Sequence, residues 1–181
     1  MHDLGTVARA PSRGVPVAIR SSALLAWRLG GFDLSNEKNV SRSRIATPFV
    51  HRLGDEQEGF ELLLDRTNRL VRARFWGVWD NEMVEEFRAG VLRFSGELSG
   101  SPWSMIVDSR NFPAQNEEIT RHRLQTMKMV VAQGSFRKLA AVVTTATYGM
   151  QFRRMTDESH MQSGVFRDEQ SALEWIRAGT R

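Results

Sequence analysis

The chain has 181 residues, of which 41% are hydrophobic and 25% are charged, and it contains no cysteine. This composition is typical of a globular protein with room for one domain and an appendage. The lack of cysteine excludes disulfides, thiolate zinc sites, iron–sulfur clusters and cysteine nucleophiles, and it fits a reducing, cytoplasmic location. No apolar run reaches the roughly 18 residues of a membrane helix, so we expect no transmembrane segment.

The positive charge is concentrated near the N-terminus. The formal net charge is +4 at pH 7, but residues 1–53 alone carry eight basic and three acidic side chains. The remaining residues, 54–181, hold 17 basic and 18 acidic side chains and are close to neutral. A nucleic-acid-binding domain normally carries its own basic face. We therefore expect no nucleic-acid partner.

Residues 1–55 contain scattered proline, glycine and serine and no sustained apolar periodicity. This pattern predicts a disordered basic leader, or translated sequence upstream of the true start. A tail that docks on an anionic surface and an organellar transit peptide are alternatives that the pattern leaves open. We assign residues 56–181 to the folded domain.

The domain opens with a predicted β-hairpin. Phe60–Leu64 is a short apolar run, Asp65–Asn68 is a turn, and Leu70–Trp76 alternates with a period of two. Asp80 then caps a long helix. Its apolar residues recur every three to four positions: Trp79, Met83, Phe87, Val91, Phe94 and Leu98.

Strands and helices alternate in the rest of the chain. In order, the pattern predicts a strand at Trp103–Val107, a helix at Glu117–Ala132, a strand at Leu139–Val143, a helix from Tyr148 to about Ser159, a strand at Gly164–Phe166 and a last helix capped by Asp168. For the second helix we expect an inward face made of Thr120, Leu124, Met127 and Val131. The order ββαβαβαβα predicts an α/β fold, with a mixed five-stranded sheet opened by an antiparallel hairpin and packed with four helices.

Several of these segments resemble a known family. The opening hairpin, the strand that ends at Asp108, the strand Lys138–Thr144 and the closing run Val165–Ile176 resemble the SpoIIAA-like branch of the STAS family. In that branch a short V-F strand leads into a helix with the pattern E-x-A-L-x-W-[LI]. The resemblance implies a non-enzymatic regulatory or binding domain. Some STAS members carry a D-S-S-G-L segment whose serine is phosphorylated; this chain lacks it, and Ser109 is the candidate phospho-acceptor.

Polar and aromatic residues follow two of the predicted parallel strands, and ligands of open α/β sheets gather at that edge. We take them as candidate partner-binding residues: Asp108, Ser109, Asn111, Phe112, Thr145 and Tyr148. A plainer interpretation is that Asp108 caps its own loop and that the threonines near 145 cap the next helix. Trp79 and the Phe112-Pro113 loop are either core or an exposed apolar patch.

Neither His122 nor His160 has another ligand at metal-binding spacing, and no nucleophile elbow is present. We expect no catalytic residue, metal or cofactor. Our first hypothesis is a regulatory module that binds a protein partner, with a homodimer left open. The alternative is a carrier or sensor of a small apolar or lipid-like ligand, suggested by methionines on two helices: Met127, Met129, Met150 and Met155.

Overall fold

The computed structural model describes residues 49–178, and these residues form a mixed sheet with four helices. The strands are β1 Phe49–Gly54, β2 Gly59–Asp65, β3 Leu70–Trp76, β4 Trp103–Asn111, β5 Phe136–Val142 and β6 Ser163–Phe166. The helices are α1 Asn81–Glu97, α2 Glu117–Ala132, α3 Ala146–Glu158 and α4 Glu169–Arg177. Among the described residues no helix combines the length and the apolar character that a bilayer span requires.

The six strands lie side by side in chain order. β1, β2 and β3 pair antiparallel, and β3 to β6 pair parallel. The predicted hairpin and the parallel remainder are therefore confirmed, but the expected number of five strands is wrong. The additional strand is β1, made of residues 49–54, which the sequence pattern had assigned to the leader. The leader prediction for residues 1–48 lies outside the described residues.

β1 is held by pairing and by aromatic contacts that the sequence pattern does not show. Its six residues pair with β2 in a continuous register from Phe49 opposite Leu64 to Gly54 opposite Gly59. The ring of Phe49 packs edge-on against Phe94 of α1 at 5.2 Å. All six residues are only partly buried, so β1 lacks the clear alternation that marks a half-buried strand.

The two faces of the sheet carry cores of unequal size. Side chains alternate between faces along a strand, and one face packs on α1, α2 and α3 in a large cluster that includes Phe60, Met105 and Leu139. The opposite face is covered by α4, where Ala172 packs with Ile106 in a smaller cluster. The three crossover helices thus share one layer, and any interior site lies between them and the sheet.

Trp79 stands at the centre of an aromatic cluster in the larger core. Its ring lies 4.9 Å from that of Phe75, 5.3 Å from Phe87, 4.9 Å from Phe112 and 5.8 Å from Phe60. All four pairs are tilted or edge-to-face, the arrangement that aromatic quadrupoles favour. The indole N–H donates to the Gly59 carbonyl at 3.1 Å. The cluster therefore ties β2, β3, α1 and the segment after β4 together.

The helices agree with the predicted pattern except in the orientation of α2. All six residues of the predicted stripe of the first helix are buried, and α2 has the predicted bounds. The buried residues of α2, however, are Ile119, Arg123, Thr126 and Val130, not the four expected, which are only partly buried. The true face lies about 100° away, one residue earlier. A stripe that includes an arginine contradicts the rule that charged side chains stay outside.

We expect the substitution Gly77→Ala to destabilise the domain by about 1–3 kcal/mol. Gly77 has φ +72°, and a Cβ atom there would lie 2.2 Å from the Gln57 carbonyl oxygen. Gly96→Ala is the matched control, because Gly96 is helical and an added Cβ meets nothing within 4 Å. It is expected to stabilise by about 0.5–1 kcal/mol. Urea unfolding measures both values; equal effects would contradict the proposed backbone constraint.

Candidate functional site

The parallel strands β3, β4 and β5 all end at one edge of the sheet, which we call the carboxyl edge. Asp108 lies at this edge. Arg110 donates two hydrogen bonds to the Asp108 carboxylate, from Nε at 2.9 Å and from Nη2 at 2.8 Å. Burial alone would raise the pKa of the Asp108 carboxyl, but the side-chain and backbone hydrogen bonds of Arg110 outweigh it and the pKa is lowered. Thr144 donates to the Arg110 carbonyl at 2.8 Å. Asp108 also accepts a hydrogen bond from the Arg110 backbone N–H at 3.2 Å, so its side chain bonds within its own loop.

Two of the other candidate residues are exposed and make few contacts through their side chains. Asn111 is exposed, and its carbonyl accepts a hydrogen bond from the Gly77 N–H at 3.1 Å. Thr145 occupies the N-cap position of α3 and is exposed, but its side chain makes no capping hydrogen bond. The carboxyl edge thus presents both side chains to solvent.

The remaining three candidates are buried: Ser109 is 2% exposed, Phe112 is 2% and Tyr148 is 0%. The Ser109 hydroxyl lies 3.3 Å from the Tyr148 hydroxyl, and the rings of Phe112 and Tyr148 meet edge-on at 5.4 Å. These residues cannot form a surface patch. Burial of Ser109 also argues against its phosphorylation in the folded domain, since a kinase needs an exposed hydroxyl.

Two of these buried candidates, Phe112 and Tyr148, contact Arg123, the residue that the sequence pattern missed, and Ser109 is linked to it through the Tyr148 hydroxyl. Arg123 is 3% exposed and donates from Nη2 to the Tyr148 hydroxyl oxygen at 2.9 Å. The centre of its guanidinium group lies close to four aromatic rings, at distances of 4.9–5.8 Å: Phe75, Trp79, Phe112 and Tyr148. We call Arg123, these four aromatic residues and Ser109 the Arg123 cluster.

The guanidinium group of Arg123 is incompletely satisfied. Within residues 49–178 no carboxylate forms an ion pair with it, and its Nε and Nη1 atoms are buried without a hydrogen-bond partner. Contacts with aromatic rings are worth about 0.5–2 kcal/mol, but they do not replace the missing hydrogen bonds. The N–H donors point along its plane, and each unpaired buried donor costs about 1–3 kcal/mol.

A cavity of about 40 Å³ lies beside Arg123, between the sheet and the layer of helices. Apart from Arg123 and Thr126, the lining is apolar: Phe75, Phe87, Val91, Trp103, Met105, Val107, Met127, Val130, Phe136, Leu139, Phe152 and Met161. Of the four methionines suggested as a ligand lining, Met127 alone is in this set. Met155 is buried elsewhere in the core, and Met129 and Met150 are exposed.

Gln115 joins three segments at the carboxyl edge. Its side-chain oxygen accepts from the Trp79 N–H at 2.9 Å, and its side-chain nitrogen donates to the carbonyls of Gly77 and Pro113 at 3.2 and 2.9 Å. Its backbone N–H and carbonyl bond with the side-chain amide of Gln151 at 3.0 and 2.8 Å. These bonds fix the segment before α1, the segment before α2 and the first turns of α3 to one another.

Exposed apolar side chains flank this arrangement. Val78, next to Gly77, is 58% exposed, and Met150, next to Gln151, is 65% exposed. Pro113 and Ala114, which precede Gln115, are also exposed. We call these four residues the Gln115 surface. Trp79 and Phe112, which the sequence left open as patch residues, are instead core.

The described residues offer no arrangement suited to a metal. Within residues 49–178 no three histidine, aspartate or glutamate side chains converge as ligands would. His122 bonds through Nδ1 to Glu85 at 3.0 Å, and His160 is exposed. Buried donors without a hydrogen-bond partner include Nε and Nη1 of Arg123 and Nε1 of Trp103.

Comparison with known proteins supports the fold. No protein-family model matches the chain, and no curated protein does. Among solved structures, the chain is similar to an uncharacterized protein of the DUF3478 family from Shewanella loihica PV-4, which has a SpoIIAA-like fold. The TM-score is 0.52 at 15% identity, over 68% of this chain and 98% of the other. The described domain has a SpoIIAA-like fold. The resemblance inferred from the closing V-F strand and helix is thereby confirmed at the level of fold.

In this SpoIIAA-like domain, Gln115→Leu should cost about 2–4 kcal/mol, because it leaves the buried Trp79 N–H and two carbonyls without partners. Gln125→Leu is the control, since Gln125 is an exposed residue of the neighbouring helix α2, and it should change stability by less than about 0.5 kcal/mol. Urea unfolding followed by tryptophan fluorescence provides the comparison. If both variants were equally stable, the Gln115 hydrogen bonds would not hold the edge together.

Proposed function

We propose that the domain is a non-enzymatic interaction module that binds a protein partner through the Gln115 surface. The observation that carries the proposal is the placement of two exposed apolar side chains, Val78 and Met150, on either side of one hydrogen-bonded junction. Adjacent exposed apolar residues with a polar rim are typical of protein interaction sites.

The backbone beneath this surface is already ordered. Gln115 bonds both to the Gly77 carbonyl, next to Val78 in sequence, and to the Gln151 side chain, next to Met150, so the two segments that carry these apolar residues are tied together. A preorganised surface loses little conformational entropy when a partner binds. This property supports the surface as a docking site for a folded partner.

Exposed polar residues adjoin the apolar surface in sequence. Asn111 lies two residues before Pro113, and Arg153 and Arg154 follow Met150 on α3. Arg154 is paired with Glu158 at 3.0 Å, whereas Arg153 has no ion pair among the described side chains. Arginine is enriched in interfaces. We assign Asn111 and Arg153 to the polar rim of the site.

The double substitution Val78→Glu and Met150→Glu should abolish partner capture without unfolding the domain, since both side chains are exposed. The full chain is immobilised and exposed to extract from its native cells, and captured proteins are quantified by mass spectrometry. A partner of this surface should be depleted more than about tenfold by the double variant, as loss of central apolar contacts costs above about 1.4 kcal/mol.

Met129→Glu is the matched control. Met129 is 40% exposed. It lies near the far end of α2, about 20 Å from Gln115 along the helix axis. It should leave capture unchanged. A partner that both variants retain, or both lose, would rule out the Gln115 surface as its docking site. Recovery of the chain itself, with a concentration-dependent dimer in sedimentation, would identify a second copy as the partner.

A second candidate function is that of a carrier or sensor of a small ligand, and the cavity beside Arg123 favours it. Its volume is about 40 Å³, well below the roughly 150 Å³ of an engineered apolar cavity that binds benzene. The space is too small for a lipid, so this function is limited to a ligand smaller than benzene. Native mass spectrometry of the purified full chain should reveal a co-purified small molecule, and its absence after purification without organic solvent counts against this function.

A further inference from the structure

We propose that His51 is a pH-sensitive switch: its neutral imidazole ring holds the edge strand β1 on the domain, and protonation of the ring releases β1. Among the described strands, β1 is the terminal one and pairs with β2 alone. Its release would uncover one side of β2 and leave every other strand pair intact. The switch therefore acts on one strand and not on the whole sheet.

The ring of His51 is enclosed between the sheet and helix α1. It stacks on the ring of Phe60 with a centroid distance of 5.4 Å and an angle of 22° between the ring planes. Gly90 of α1 leaves space for it. A Cβ atom at that position would lie 3.1 Å from Cδ2 of His51 and 2.8 Å from Cδ1 of Leu62, so a larger residue would crowd the ring.

The hydrogen bond of the ring to α1 requires a neutral imidazole. Nη2 of Arg93 lies 3.1 Å from Nδ1 of His51. Because arginine can only donate hydrogen bonds, Nδ1 accepts, and the single proton of the neutral ring is on Nε2. Protonation adds a hydrogen to Nδ1. Two donors and two positive charges then face each other, and a bond that joins β1 to α1 becomes a repulsion.

The other nitrogen atom of His51 gives an added charge no compensation. Nε2 is buried and has no hydrogen-bond partner within residues 49–178. Both ring nitrogens of a charged imidazole are donors, and a buried charge is unfavourable unless it is paired and hydrogen-bonded. Protonation is therefore easier when β1 leaves the domain and the ring enters water.

The charged groups that act on the ring belong to α1. Burial and then the positive charge of Arg93 lower the pKa of His51, and they outweigh the opposite effect of Glu86. The residues that face the ring from β2 are Phe60 and Leu62, which carry no charge. No carboxylate of β2 on this face therefore stabilises the protonated ring.

The nearest charges of β1 and β2 lie on the opposite face of the sheet. Arg52 and Glu61 alternate in sequence with the residues of the His51 face, and they pair with each other at 3.9 Å. In a released strand the ring returns to the ordinary histidine pKa of about 6.5, above its value in the docked strand. Docking of β1 therefore has its full stability above about pH 6.5 and loses stability as the pH falls below that value.

Hydrogen exchange of the full chain measures the release of β1. Amide protection of Phe49–Gly54 is compared about one pH unit above and one below 6.5, after correction for the intrinsic rates. We expect protection to fall by up to about tenfold at the lower pH, the limit that a pKa of about 6.5 in the released strand sets. Protection of β1 should stay below that of the central strand β4, as local release requires.

His51→Gln should remove this pH response, because the glutamine side chain can still accept from Arg93 but does not titrate. His160→Asn is the matched control. His160 is exposed and has φ +56°, a conformation that asparagine tolerates, and this variant should keep the full response. Should His51→Gln fail to fold, the ring of His51 is titrated by NMR in the unchanged chain, and its midpoint should lie below about pH 6.5.

Three results would overturn the proposal. The first is a loss of β1 protection smaller than about twofold, or an equal loss in His51→Gln. The second is a ring midpoint at or above about pH 6.5, because the docked strand would then not disfavour the charged ring. The third is equal protection of β1 and β4 at both pH values, which would mean that protonation weakens the whole domain and not one strand.

Discussion

The packing of Trp79 supports both the Arg123 cluster and the Gln115 surface. Its ring contacts four other aromatic rings and its face lies 5.8 Å from the guanidinium carbon of Arg123. Its backbone N–H is held by Gln115. The interior cluster and the exposed junction are therefore built on one buried residue, and neither can be altered at this point without affecting the other.

Local sequence patterns, such as helix caps and apolar periodicity, account for most of the fold. Asp80 and Asp168 cap α1 and α4 by accepting the backbone N–H of Met83 and Ser171, each at 2.8 Å, as their positions before amphipathic stretches predict. Such features depend on a few neighbouring residues. β1 depends instead on pairing with β2 and on contacts with α1, and its residues His51 and Arg52 break the apolar alternation.

The candidate partner-binding residues stay a prediction, but the structure shows that three of the six, Ser109, Phe112 and Tyr148, are buried. The residues after the strands do meet at the carboxyl edge, yet Ser109 and Tyr148 turn inward toward a charge that the pattern had placed outside. A signal was present: Ile119, Arg123, Thr126 and Val130 follow the spacing i, i+4, i+7, i+11 of a buried helical stripe. An arginine at a stripe position is a reason to look for an interior partner. The hydrogen bonds of Gln115 had no such signal, because they join segments distant in sequence.

The pairing of β1 also determines where the domain can be cut. β2 contains Phe60, Leu62 and Leu64, all at most 2% exposed. The backbone N–H and C=O groups on the side of β2 away from β3 pair with β1. A shortened protein that begins at residue 56, where the composition changes, would present a long apolar strand with a free ladder of N–H and C=O groups. Such edges recruit other chains into a shared sheet. Removal of the N-terminal segment thus has to stop before Phe49 if the protein is to stay in solution.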